Sequence, residues 1–235
     1  MAARLRDRVH AKLYPEPGPP NPFDRLSREA AVAHQPVLDF GAGRGTGLRR
    51  TAPREAFVVG ADVGRHIAEN PNLDAGVVFD GQHLPFSDGS FGACTMRWVV
   101  EHLPEPEVTF REVARVLRRS GRLVILTPNL WFYGYLASRL IPNRAHPWIV
   151  RRVANRAERD TFPTYYRANT RRRLRRLLTR AGFRERSLLG FQHGPGYLAF
   201  SLPTLLVGAA YDRLVNSNSA FAGLRQGLIA DFERQ

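Results

Sequence analysis

Apolar and polar positions along this chain fall into short blocks whose period changes. VLDF (Val37–Phe40), VVGA (Val58–Ala61), GVVF (Gly76–Phe79), ACTMRW (Ala93–Trp98) and RLVIL (Arg122–Leu126) are short, mainly apolar runs. Runs of that length, bounded by Gly, Asp and Pro, predict strands buried on both faces. Between the fourth and fifth runs, Glu105–Leu117 places Phe110, Val113, Ala114 and Leu117 on one side of a helix. Met1 to about Tyr14 and Phe23 to about Ala33 predict two earlier helices, joined by the proline-rich YPEPGPPNP. In NTRRRLRRLLTRAGF, Leu174, Leu177, Leu178 and Ala181 share one helical face and the arginines take the other. Asn169 or Thr170 can cap that helix, and Gly182 can close it. Strands alternating with helices predict an α/β fold with a doubly wound, mainly parallel sheet.

Composition narrows the class. The chain has 235 residues, 43% of them hydrophobic and 24% charged, as globular proteins do. The one cysteine, Cys94, excludes an internal disulfide framework and fits a cytoplasmic location. MAARLRDRVHAKLYP lacks an apolar core after its basic residues, so no leader is expected. The longest uncharged stretch, His193–Tyr211, holds two prolines. A membrane span wants roughly 20 predominantly apolar residues, so a buried or surface-lying helix is expected instead. The formal charge of +14 raises a nucleic-acid partner. The basic residues are scattered, however, except at Arg171–Arg176, and all but Lys12 are arginine. That cluster reads either as a solvated helix face or as a site for an anionic partner, phosphate or membrane surface. No histidine or cysteine spacing suits a metal, so none is expected.

The candidate chemistry begins at VLDFGAGRGTG, Val37–Gly47. A strand, a glycine turn and a helix start would place backbone N–H groups at the carboxyl edge of the sheet, where ligands of such folds bind. Glycines at 41, 43, 45 and 47 fit neither frame of the dinucleotide pattern G-x-G-x-x-G. Asp39, just before them, would repel a pyrophosphate but suit a cationic ligand. A structural turn without a ligand is the alternative. Pro53 keeps any following helix short. Asp62 follows the second run about 20 residues on, the separation of a ribose-binding carboxylate.

LDFGAGRG resembles the first motif of class I S-adenosylmethionine-dependent methyltransferases, and VVGADVG their second strand. FDGQHLPFSDGSFGACTMRWVVEHLPEPE is similar to their D-x-x-x-LPF-x-D-x-SFD block with the following E-H-L. LRRSGRLVILTPN resembles their L-K-P-G-G turn and fifth strand. Over roughly Val37–Asn129 the four motifs stand in the family's order. Gly92 replaces the usual acid after SF, and Arg119 and Ser120 replace a common proline and glycine.

The resemblance implies a seven-stranded Rossmann-like methyltransferase fold and S-adenosyl-L-methionine as cofactor. It implies that Gly41, Ala42, Gly43 and Gly45 approach the cofactor's amino-acid part and that Asp39 attracts its ammonium. Asp62, with Val63 beside it, would take the ribose hydroxyls. Asp80 would take the adenine amino group, with Gly81 and Gln82 at the ring edge. Arg97 and Trp98 would lie near the sulfonium, although an ion-pair or core role serves them as well.

TPN, F-P-T-x-Y-R-x-N-T and A-G-F resemble a branch of the type 11 methyltransferases, often associated with small-molecule, glycan or lipid-linked acceptors. That implies one domain over 1–235. It would comprise an N-terminal helical segment (1–34), a cofactor core (35–129), an α-helical lid insert (130–170) and C-terminal helices and last strands (171–235). LIADFE would be a seventh, antiparallel strand. The aromatic insert would cover an apolar acceptor or form a subsidiary core. Oxygen acceptors usually need a general base, and His102 is the leading candidate, ahead of His146, His193, Tyr165 and Tyr166, with a helix-capping or core role for His102 as the alternative. A small or lipid-like acceptor methylated at oxygen is the expectation, with a peripheral membrane contact allowed. An RNA methyltransferase and a non-catalytic S-adenosylmethionine-binding protein are the rivals.

Overall fold

Val37–Phe40 (β1) lies at the centre of the sheet, paired in parallel with Val58–Asp62 (β2) on one side and Phe91–Arg97 (β4) on the other. Ala75–Val78 (β3) continues in parallel from β2, and Leu117–Pro128 (β5) from β4. The computed structural model describes residues 2–18, 20–45, 47–140 and 162–235. Among these, seven strands form one sheet in the order β3-β2-β1-β4-β5-β7-β6, with β6 at Phe183–Phe191 and β7 at Gly227–Arg234. Arg234, ending β7, donates to the Leu117 carbonyl, which opens β5. Gln235 likewise donates to Gly182, just before β6, at 3.0 Å. Both neighbours of β7 therefore run against it. The parallel arrangement of β1–β5 and the antiparallel β7 follow the expected doubly wound fold.

The described α-helices are Ala2–Leu13 (α1), Pro22–Ala33 (α2), Pro106–Val116 (α3), Tyr133–Leu140 (α4), Arg171–Arg180 (α5) and Leu202–Ser217 (α6). Asn21 caps α2 by accepting from Phe23 N–H at 2.9 Å. Thr170 caps α5 through the Arg173 N–H at 3.3 Å, leaving Asn169 for another task. Leu174, Leu177 and Leu178 of α5 join Phe110, Val113, Leu123, Ile125 and Phe232 in the main core. Two of the clustered arginines work within the fold. Arg171 reaches the Leu188 carbonyl at 2.9 Å, and Arg175 pairs with Glu185. After the glycine loop only a single 3₁₀ turn forms, Gly47–Arg50, as Pro53 dictates.

Two differences from the sequence reading have physical causes. β5 begins at Leu117 rather than Arg122, because Leu117 pairs with Phe91 ahead of an irregularity in the ladder. β6 carries Arg184, Glu185 and Arg186 and so lacks an apolar run, which suits the last strand of a sheet. Gly92 also gains a reason. A Cβ there would stand 2.6 Å from the His34 carbonyl carbon, so the acid usual at this place has no room. Ser120, standing where glycine is common, adopts φ +61.

Contacts divide the chain into two units. One, within 20–128, 164–189 and 228–235, holds the sheet and its core. The other draws on 1–19, 129–163 and 190–227, and so contains α1, α4 and α6. This grouping joins α1 to residues beyond β5, whereas the sequence placed it with α2. In this unit Phe132, Tyr133, Tyr197 and Tyr211 form a ring cluster, with Tyr133 and Tyr211 centroids 4.7 Å apart. Of the expected lid, residues 141–161 with His146 lie outside the described residues. No described helix is long and apolar enough to cross a membrane.

Candidate active site

The glycine loop leaves β1 at the carboxyl edge of the sheet, with Gly41 at φ +73 and Gly43 at φ +56. Its shape is fixed from three sides. Asp62, ending β2, accepts the Gly43 N–H at 3.0 Å through Oδ2 and the Gly64 N–H at 2.8 Å through Oδ1. Asn70 donates its amide to the carbonyls of Gly43 and Gly45 at 2.9 and 3.1 Å. Asp39 lies beneath, accepting from Leu48 N–H at 3.2 Å and Thr95 Oγ1 at 3.1 Å. A Cβ added at Gly43 would meet nothing within 4 Å, so the loop faces open space there. Ala42 is buried behind it.

Three carboxylates stand at this edge in different environments. Asp39 is buried, and loss of hydration pushes its pKa up, against the Leu48 and Thr95 hydrogen bonds and the Arg97 charge. Asp62 is also buried, with His66 Nε2 at 3.7 Å. Asp80 is exposed and caps its own turn, accepting from Gln82 and His83 N–H at 2.7 and 2.6 Å. Those bonds hold its pKa down at about 2. Gly81 stands against Val63, whose side chain is half exposed. Thus Gly43, Asp62, Val63, Asp80 and Gly81, predicted from separated motifs, line one edge of the sheet.

Arg97 ends β4, pairs with Asp24 of α2 at 3.1 Å, and lies 5.6 Å from the Phe23 ring centroid. Trp98 follows in the left-handed region at φ +58, its N–H held by Leu126 O at 2.8 Å. Left-handed backbone costs a bulky residue roughly 1–2 kcal/mol. His102 lies in the next 3₁₀ turn, Val100–His102, and is half-buried. The backbone N–H groups of Tyr165 and Tyr166 both donate to the Glu101 carbonyl, at 2.8 and 3.1 Å. Tyr166 is itself at φ +50. The strand ends of β4 and β5 are thereby joined to an aromatic segment. His193 lies elsewhere, in the α1–α6 unit. There its ring meets Tyr14 edge-on at 5.9 Å, beside a cavity of about 470 Å³.

The sequence did not reveal the buried polar row that supports this edge. Thr127 Oγ1 donates to Glu101 Oε2 at 3.2 Å and accepts from Asn169 Nδ2 at 2.7 Å. Asn70 was missed as well. Thr127, Glu101 and Asn169 fall within TPN, E-H-L and F-P-T-x-Y-R-x-N-T, yet no motif announces their pairing; the available signal was a polar residue ending an apolar strand, as at Thr127.

Residues 38–125 match the family model described as a methyltransferase domain. Over those residues the chain is similar to methyltransferase domains. Among curated relatives, a methyltransferase of Streptomyces halstedii is 32% identical over 149 residues, 53% of this chain and 52% of its own. A demethylmenaquinone methyltransferase of Clavibacter sepedonicus is 37% identical over 103 residues, 41% of this chain and 42% of its own. The chain spans about half the length of these curated relatives. A solved S-adenosylmethionine-dependent methyltransferase from Aquifex aeolicus is 15% identical, with a TM-score of 0.53 over 99% of this chain and 96% of its own. At that identity the likeness is one of fold. The match runs from β1 into β5, the strands whose carboxyl ends carry the residues just described.

Proposed function

We propose that this methyltransferase moves a methyl group from S-adenosylmethionine to a small-molecule or lipid-like acceptor, at oxygen. The observation that carries the cofactor reading is the edge formed by Gly43, Asp62, Val63 and Gly81. Gly43 opens toward space that a side chain would fill. Each Asp62 oxygen has one recorded donor, and a carboxylate oxygen accepts two, so capacity for ribose hydroxyls remains. Val63 and Gly81 offer an apolar wall beside backbone for a flat ring. Asp39 is engaged by Leu48 and Thr95, so it supports an ammonium through its charge and through the loop it holds. Asp80, exposed at its turn, supplies the outer end for the adenine amino group, with Gln82 beside it.

When bound, the cofactor supplies an electrophilic methyl and its own leaving group. The chain's task is then to align the acceptor and exclude water. Trp98, Tyr165 and Tyr166 stand at the strand ends as apolar walls for it. His102 is the proton acceptor in this reading, because its turn directly follows β4. The acceptor class draws on the relative that bears the name of a lipid quinone.

Titration calorimetry with S-adenosylmethionine and its demethylated product tests the cofactor. Methyl-labelled cofactor offered to a hydroxylated quinone and to simple phenols tests the acceptor. Heat of binding with label in an ether product supports the proposal. No heat with either compound refutes it, and label on carbon refutes oxygen.

A further inference from the structure

The α1–α6 unit carries a surface that methyl transfer does not use. α6 buries Leu205, Gly208, Ala209, Asp212 and Val215. At 3.6 residues per turn, the opposite side collects Pro203, Leu206, Val207, Ala210 and Leu214 into one stripe without an acid. Leu206, Val207 and Leu214, with Phe200 just ahead of the helix, are each more than half exposed. A surface helix of a globular protein normally turns polar residues outward.

α1 packs along the same helix. Its Arg6 donates to the Phe200 carbonyl at 3.4 Å, and Tyr14, just beyond α1, hydrogen-bonds Asp212. Leu5 is more than half exposed beside that junction. Arg4, Arg8 and Lys12 recur every fourth residue, so they share one exposed stripe. The acid of α1, Asp7, pairs with Arg6 at 2.6 Å, leaving that stripe cationic.

We propose that this α1–α6 face docks on the surface of an anionic phospholipid bilayer. α6 has 16 residues and does not cross; its apolar stripe would lie in the interface. The α1 cations need not share its plane. Their attraction reaches about 8–10 Å at ordinary salt, roughly one helix diameter. Apolar burial and basic charge together make the two signals that stable attachment requires. A second copy of the chain fits less well. A two-fold contact through this face would set the α1 stripe near its own image, in a chain of formal charge +14. This docking does not rest on the proposed function.

Co-sedimentation of the full chain, without cofactor or acceptor, with phosphatidylcholine vesicles with and without phosphatidylglycerol separates the two. Binding should require phosphatidylglycerol and weaken as salt rises. Arg4→Gln/Arg8→Gln/Lys12→Gln should lose about 100-fold in affinity, taking each cation's share near a bilayer as a factor of roughly five. Leu206→Ser/Val207→Ser/Leu214→Ser should lose at least about tenfold, since three apolar side chains no longer leave water. Both variants change exposed positions, and unaltered melting curves would confirm that they fold. Equal binding to both vesicle types overturns the proposal, as does no binding to either. A dimer that the serine variant converts to monomer also overturns it, because the face then belongs to a second copy.

Discussion

Asp62 joins two strand ends through one carboxylate: Oδ2 accepts from Gly43 of the glycine loop at 3.0 Å, and Oδ1 accepts from Gly64 at 2.8 Å. The residue proposed to read the ribose thus also shapes the loop proposed to receive the rest of the cofactor. Fold and recognition share a side chain, so substitutions there must be read in both.

Asp62→Ala removes two charge-assisted hydrogen bonds worth roughly 1.5–3 kcal/mol each, partly replaced by water. Stability should fall by about 2–4 kcal/mol in a denaturant titration, and calorimetry should detect no cofactor binding. Asp62→Asn keeps the shape but turns an amide N–H₂ toward one of two backbone donors. Its cofactor affinity should drop at least about tenfold, at roughly 1.4 kcal/mol per decade. An Asn variant that binds S-adenosylmethionine like the parent would refute the ribose role.

Gly43 and Gly89 separate strain from recognition. Both have left-handed φ, +56 and +64, and neither has a close neighbour in the path of a Cβ. Alanine at either site should cost about 1–2 kcal/mol of stability from the backbone alone. Gly43→Ala would in addition fill the open space at the cofactor edge. Matched melting temperatures with cofactor affinity lost only in Gly43→Ala are expected. Equal affinity in both variants would show that Gly43 does not face the ligand.

Asp39→Asn tests a buried charge. Burial raises the Asp39 pKa, so the native state favours the protonated form and ionisation opposes folding. The destabilisation is present above the raised native pKa. It fades as pH falls through that value toward the ordinary carboxyl value of about 3.9. An Asn side chain can still accept from Leu48 N–H and donate to Thr95 Oγ1. Asp39→Asn should therefore melt at or above the parent at neutral pH, with the difference closing in acid. Cofactor affinity should nevertheless fall, because the charge proposed to face the ammonium is gone. A variant that loses stability at neutral pH and gains it in acid would reverse this account.

The sheet was legible because β1 and β2 are buried throughout and β4 as far as Met96, which makes apolar runs stand out. Asp39 and Asp62 were legible from their places at a strand end beside the glycine loop, and Asp80 from the family motif that it opens. β6 was not legible. Its charges answer to solvent and to Glu233 of β7, which takes both Arg184 and Arg186, and no local pattern announces such a partner. Asn70, Thr127 and Asn169 were hidden similarly, since the bonds that tie them to the loop and to Glu101 run to residues at least 25 positions away in sequence. Asn169 and Thr170 were both possible caps; Thr170 took the place, and Asn169 turned to its buried partner Thr127 instead.

Thr127→Val probes that hidden row. Valine matches the shape of threonine but removes both the donor to Glu101 Oε2 and the acceptor for Asn169 Nδ2. All three side chains are buried, so solvent cannot readily replace what is lost. The cost should be about 1–3 kcal/mol, or roughly 2–4 °C of melting temperature per kcal/mol in a chain of this size. A purely structural role would stop there. Glu101, however, also anchors Tyr165 and Tyr166 through its carbonyl. Loosening it should let the aromatic wall drift, raising KM for the acceptor several-fold while S-adenosylmethionine binds as before. Thr127→Ser restores the hydroxyl and should recover both properties. If Val changes stability but leaves KM alone, the row supports the fold and plays no part in positioning the acceptor.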